Sequence, residues 1–158
     1  MVGNGTEVGA VTSGYSRTPL AKKLGVKDGQ RTWHWKMPET VLTEILASGV
    51  RPEIWAAPKA GLEMAHIFVT ERKELAEELG RLRRLLTPDG TIWVSWPKKA
   101  SGVKTEVTED VVRAEALPLG LVDVKVCAAD AVWSGLKLVV RRSERQAVLP
   151  AMSRPGRE

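Results

Sequence analysis

The sequence predicts an α/β domain with a mostly parallel sheet of about six strands, helices on both faces and a C-terminal antiparallel hairpin. Three observations carry this prediction. Apolar segments with strand-like and helix-like periods alternate along the chain, the mark of strand–helix–strand units. The last two strand-like segments are joined by only a few residues around Asp130, too few for a crossover, so they must run antiparallel. The chain has 158 residues, enough for one domain with a sizeable core.

The elements follow in order. Residues 1–16 are rich in Gly, Thr, Ser and Val without a period and read as a flexible tail. Thr18-Pro19 opens a short helix, with threonine as cap and proline at the first position, and Gly25 closes it. Asp28-Gly29 is a turn before a strand at about 31–36. Pro38 fits a first helical turn, and Val41, Leu42, Ile45 and Leu46 form the apolar stripe of a helix ending at Gly49. Short strands follow at Glu53–Ala57 and His66–Val69. Thr70 is the expected cap of an amphipathic helix in which Leu75, Leu79, Leu82 and Leu86 form the buried stripe. Thr87-Pro88-Asp89-Gly90 reads as a turn, and Thr91–Trp96 as a strand stopped by Pro97. Thr108, followed by Glu109 and Asp110, starts another helix that Pro118 and Gly120 end. Strands at about 121–128 and 134–141 complete residues 17–142, the predicted domain, and 143–158 read as a basic, disordered tail.

Composition narrows the function classes. Every apolar run is interrupted by a charge, so no membrane span is expected, and the N-terminus lacks the form of a signal peptide. A single cysteine, Cys127, suits a reducing cytoplasm. The formal charge is +5, but residues 141–158 supply five arginines against two glutamates. Residues 17–140 hold 19 basic and 16 acidic side chains, which is not the dense basic stripe of a dedicated nucleic-acid binder.

Two stretches carry a family resemblance. Leu24-Gly25-Val26-Lys27-Asp28-Gly29-Gln30-Arg31 and Leu85-Leu86-Thr87-Pro88-Asp89-Gly90-Thr91-Ile92-Trp93-Val94 are similar to segments of class I S-adenosylmethionine-dependent methyltransferases. More specifically, GYSRTPLAKKLGVKDG, HIFVTERKEL, LLTPDGTIWVSWPKKASGVKTEVTEDVVR and GLVDVKVCAADAVWSGLKLVVRR together resemble the bacterial family catalogued as domain of unknown function 3052. The resemblance spans roughly residues 14–142 and implies a truncated methyltransferase-like Rossmann fold, without an established activity.

The departures from the methyltransferase pattern are as informative. The resemblance implies an acid and several glycines after the first strand, yet the stretch reads His34-Trp35-Lys36-Met37-Pro38-Glu39-Thr40. Side chains at Lys36 and Met37 obstruct close approach to a cofactor, and Pro38 removes an amide donor. The second strand, expected to end in an acid for the ribose, ends Ala56-Ala57-Pro58. One strand–helix unit also has no room before His66. No cofactor is therefore expected, S-adenosylmethionine entering only under an alternative reading.

In open α/β sheets ligands gather at the carboxyl ends of strands. Those ends carry Lys36, Lys59, Arg72, Trp96, Lys98, Lys99, Ser101, Lys104 and Thr105, a rim that would attract an anion. Exposed loop lysines explain much of the same pattern. Trp96 is the one stacking candidate among six tryptophans, with the core the simpler assignment. His34 and His66 lie on strands with no second ligand at metal spacing and read as core histidines. Cys127 reads as a buried thiol, and no catalytic triad, metal site or Walker loop is present in the sequence.

The resulting expectation is a cytoplasmic, non-catalytic binding or regulatory module that presents this rim to an anionic small molecule or an acidic protein partner. The alternative is a divergent S-adenosylmethionine-dependent methyltransferase; a third reading is a weak nucleic-acid binder. An exposed edge strand would permit a homodimer.

Overall fold

A computed structural model describes residues 18–145. The expected tails at 1–16 and 143–158 therefore lie outside the described residues, save that 142–145 form a helical turn. The elements are α1 (Leu20–Leu24), β1 (Arg31–Trp35), α2 (Glu39–Leu46), β2 (Glu53–Ile54), β3 (Leu62–Phe68), α3 (Arg72–Leu85), β4 (Leu86–Pro97), α4 (Glu109–Ala116), β5 (Leu121–Val126) and β6 (Trp133–Val140). Short 3₁₀ turns at Lys99–Ser101 and Leu117–Leu119 flank α4 in sequence.

The strands form one six-stranded sheet in the order β2-β1-β3-β4-β6-β5. β2, β1, β3 and β4 are mutually parallel. β6 runs antiparallel to β4, and β5 antiparallel to β6, so the hairpin is as predicted. Strand alternation sends successive side chains to opposite faces. On one face Trp33, Ile67, Ile92, Val94 and Trp96 meet Leu75, Leu79 and Leu82 of α3 and Val112 and Ala116 of α4. On the other, Met64, Phe68 and Trp93 meet Leu20 and Leu24 of α1 and Val41 and Ile45 of α2. The Trp93 indole N–H donates to the Leu24 carbonyl at 2.8 Å and so ties the end of α1 to the sheet.

Five local expectations are corrected. α1 starts at Leu20 with Pro19, rather than Thr18, at the cap position, and α3 starts at Arg72 after Glu71 rather than after Thr70. β2 is two residues long, not five, because only Arg31 and Thr32 of β1 pair with it. β3 begins at Leu62; as a central strand covered on both faces it lacks the alternation that would have revealed its start. Finally, Thr87–Gly90 is not a turn but the irregular first part of β4. Its partner β3 advances from Leu62 to Met64 while β4 advances from Leu86 to Thr91, so the extra residues bulge. Gly90 allows this, since a Cβ there would lie 2.5 Å from Leu86 Cγ.

Leu86, expected on the α3 stripe, is instead the first residue of β4. Two other signals act as the sequence implied. Gly25 ends α1 in the left-handed region at φ 79°. The Thr108 hydroxyl accepts the Val111 N–H at 3.3 Å, capping α4. The two sheet edges differ: β2 is short, whereas β5 is six residues long and exposes Val124 and Val126 at 55% and 58%.

Candidate functional site

The strand order reverses direction between β1 and β3, and the crevice at their carboxyl ends is where open α/β sheets place ligands. Lys36, immediately after β1, has φ 56° and is the one non-glycine residue with positive φ among the described residues. A lysine in this left-handed conformation carries a cost that glycine would not. Its ammonium sits 2.6 Å from Glu74 in the first turn of α3, which follows β3. The Trp35 indole N–H donates to the same Glu74 oxygen at 2.8 Å. Glu74 is 15% exposed while Lys36 is 59% exposed, so the strut has a half-buried foot and an open top. The hydrogen bond to Glu74, together with that carboxylate's charge, holds the Lys36 ammonium above its ordinary range. The crevice is thus bridged by the chain's own groups.

The other rim residues are not drawn to this point. Lys59 follows a strand that ends level with Thr32, short of the carboxyl end of β1, and its ammonium lies 4.8 Å over the Trp55 ring. Arg72 pairs with Glu115 of α4 at 2.7 Å, and its backbone N–H donates to Glu106. Trp96 is buried in the core, at 8% exposure, beneath α3 and α4. Lys98, Lys99 and Ser101 do come together in one 3₁₀ turn, where the Ser101 hydroxyl donates to the Lys98 carbonyl at 2.6 Å. Lys98 also lines an open groove of about 720 Å³ with Lys23 of α1, Thr40 and Glu44 of α2, and the β5–β6 loop. Lys99 and Lys104 are exposed. The Thr105 hydroxyl donates to the Thr70 carbonyl at 3.3 Å and accepts the Val107 N–H at 3.0 Å, holding the loop before α4. Of the predicted rim, then, the cations without a carboxylate partner among the described residues are those of the 98–104 loop and Lys59, which lies over Trp55, whereas Lys36 and Arg72 have carboxylate partners.

Sequence reasoning missed Glu74. It reads as one more wet-face carboxylate of an amphipathic helix, and its partners lie 38 and 39 residues earlier in the chain.

A second polar group crosses the sheet on the α1/α2 face. His34 on β1 stands in register with His66 on β3, and His66 Nε2 is 2.8 Å from the Ser95 hydroxyl on β4. His66 and Ser95 are fully buried, and the His66 ring stacks on Phe68 at 4.5 Å. Burial lowers His34 to a pKa of about 4. Burial first, and then the nearby His34, lowers His66 to about 3. Both rings are neutral at pH 7, as core histidines. Cys127 is half-buried, and no group of metal-ligating side chains occurs among the described residues.

The fit of S-adenosylmethionine to the crevice can be tested on these groups. The turn after β1 holds Lys36, Met37 and Pro38 where a close backbone approach is needed, and the Lys36–Glu74 strut spans it. β2 ends level with Thr32, so no carboxylate of that strand reaches the rim. Residues 55–61 between β2 and β3 contain no helix, consistent with an omitted strand–helix unit. The residues present do not fit the cofactor in its usual mode.

No family model matches the chain, and no curated protein does. Solved structures do. One is a magnesium protoporphyrin IX methyltransferase from Synechocystis PCC 6803 with bound S-adenosylmethionine, similar over 76% of this chain and 74% of that one, with TM-score 0.51 and 12% identity. Another is a putative methyltransferase from Thermoplasma acidophilum, similar over 73% and 70% of the two chains, with TM-score 0.51 and 4% identity. At these identities the likeness concerns the fold alone: the described residues adopt a methyltransferase-like Rossmann fold with a C-terminal antiparallel pair.

Proposed function

We propose that the chain is a non-catalytic binding or regulatory module built on a methyltransferase-like fold. The observation that carries this reading is the Lys36–Glu74–Trp35 bridge across the crevice between β1 and β3. A ligand entering there must displace an ion pair and find no glycine turn to receive it. The cations left available lie on the 98–104 loop, and the proposed ligand of that loop is an anionic small molecule or an acidic protein surface.

The second reading is a divergent S-adenosylmethionine-dependent methyltransferase. It is supported by the fold shared with a methyltransferase that has S-adenosylmethionine bound. Under that reading the cofactor would be held through contacts other than a glycine turn and a ribose-binding acid.

Thermal unfolding separates the two. A ligand at a hundred times its dissociation constant adds about 2.7 kcal/mol, or about 5–10 °C for a domain of this size. The module reading expects no shift with S-adenosylmethionine or S-adenosylhomocysteine, for the native chain and for Glu74→Gln. It also expects any nucleotide or acidic-peptide shift to vanish in Lys98→Glu/Lys99→Glu. A shift with S-adenosylmethionine in the native chain would install the enzyme reading instead.

A further inference from the structure

The opposite end of the sheet, where the parallel strands begin, holds a cavity of about 660 Å³ that the rim reading does not use. Gly25, Lys27, Gln30, Arg31, Thr91 and Lys137 line it, together with three acids, Asp28, Glu63 and Asp89. By formal count the wall is neutral, and of its acids Glu63 is paired with a cation of the same wall while the Asp89 side chain is 96% exposed. Glu63 accepts the Arg31 backbone N–H at 2.9 Å and pairs with the Arg31 guanidinium at 3.4 Å. Asp28 accepts the Arg51 N–H at 2.8 Å, and Asp89 lies 3.8 Å from Arg145.

The basic side chains Lys27 and Lys137 have no ion-pair partner among the described residues. Lys137 interrupts the apolar run of β6, and it stands in register with Trp93 on one side and Lys125 on the other. Its ammonium lies 3.8 Å from where a Cβ on Gly25 would be, so it is held beneath the end of α1. Lys125 donates to the Lys23 carbonyl at 2.9 Å. Partial burial, then repulsion from Lys125 and Lys27, depresses the Lys137 ammonium below its ordinary range. Thr91 adds a buried hydroxyl with no hydrogen-bond partner among the described residues.

Two ammonium groups without ion-pair partners among the described residues, the exposed Lys27 and the partly buried Lys137, therefore line one polar cavity with the buried Thr91 hydroxyl. An anion there would pair with both ammonium groups and give the buried Thr91 hydroxyl the partner it lacks, a buried unpaired donor being costly. We propose that this cavity is a phosphate-binding site, with Lys137 and Lys27 supplying charge and Thr91 a hydroxyl donor. Its volume lies within the range of small-molecule sites and exceeds what a lone phosphate needs, so the group recognised is the phosphate of a small phosphate ester. This site is separate from the carboxyl rim and does not depend on how that rim is used.

The test is calorimetric titration of the full chain with inorganic phosphate and, separately, with glucose 6-phosphate, at matched ionic strength. The expected result is saturable binding, tighter for the ester and weakened at least tenfold in Lys137→Met. Thr91→Val serves if Lys137→Met does not fold. It should melt no lower than the native chain, because it deletes an unpaired buried hydroxyl, yet bind phosphate more weakly. Binding of inorganic phosphate alone would keep the site and overturn its assignment to an ester. Absence of saturable binding, or binding untouched in both Lys137→Met and Thr91→Val, would overturn the proposal.

Discussion

Lowering the pH from 7 to 5 should cost this fold about 4 kcal/mol through two histidines alone. In the unfolded chain a histidine titrates near 6.5, so at pH 5 it carries a proton. In the native state His34 and His66 titrate at about 4 and about 3, and both remain neutral. The unfolded state thus binds more protons throughout this interval, and stability rises with pH. The contribution is fully present above about 6.5 and is lost as pH falls towards the native values. With 1.36 kcal/mol per unit, each ring loses about 2 kcal/mol by pH 5. The assay is urea unfolding followed by tryptophan fluorescence at pH 7 and pH 5. His34→Gln removes one titrating ring while leaving the His66–Ser95 hydrogen bond in place, so its pH-dependent loss should be about 2 kcal/mol smaller than that of the native chain. Carboxylates titrate in both chains alike and cancel in the difference. Parallel losses in the two chains would refute the reasoning, since they would mean that His34 is not held neutral by its surroundings.

Three further outcomes are expected. Gly135→Ala places a Cβ 2.6 Å from the Cys127 carbonyl oxygen and 3.3 Å from the Trp93 ring, and should destabilise by about 3 kcal/mol, the upper end for overpacking, measured as a lowered urea midpoint. Thr108→Ala deletes the α4 cap and should cost about 1 kcal/mol in the same assay. Lys36→Gly should be more stable than Lys36→Met by about 1 kcal/mol, because both lose the Glu74 contact but only glycine is at ease at φ 56°; equal stabilities would contradict strain at that position.

Much of the fold was legible because its signals are local. The leucines of α3, the Thr108 cap and the Gly25 stop each act within one or two turns of chain. The short link around Asp130 fixed the antiparallel hairpin by length alone. Legibility failed where two distant segments decide the outcome. The Thr87–Gly90 stretch has the composition of a turn, yet pairing with β3 draws it into a strand as a bulge. The extent of β2 is set by how much of β1 it can reach, which no residue of β2 encodes. The site divides the same way. That lysines cluster after the strands was readable, whereas the commitment of Lys36 to Glu74 and of Arg72 to Glu115 joins residues far apart in sequence. Lys137 offers one cue, a charge inside a largely apolar strand, but the tendency of ligands to gather at the carboxyl ends of strands points away from it.

The unequal edges of the sheet bear on assembly. A two-residue strand such as β2 offers almost no backbone for a neighbouring chain to join, whereas the six-residue β5 offers more, beside exposed valines, although its register shifts between Asp123 and Lys125. Growth through sheet edges therefore has one sticky end and one blunt end. If β5 pairs with β5 of a second copy about a two-fold axis, each copy consumes the edge the other needs, and the blunt ends terminate the array. Under that pairing, edge growth would stop at two copies rather than run on into a filament.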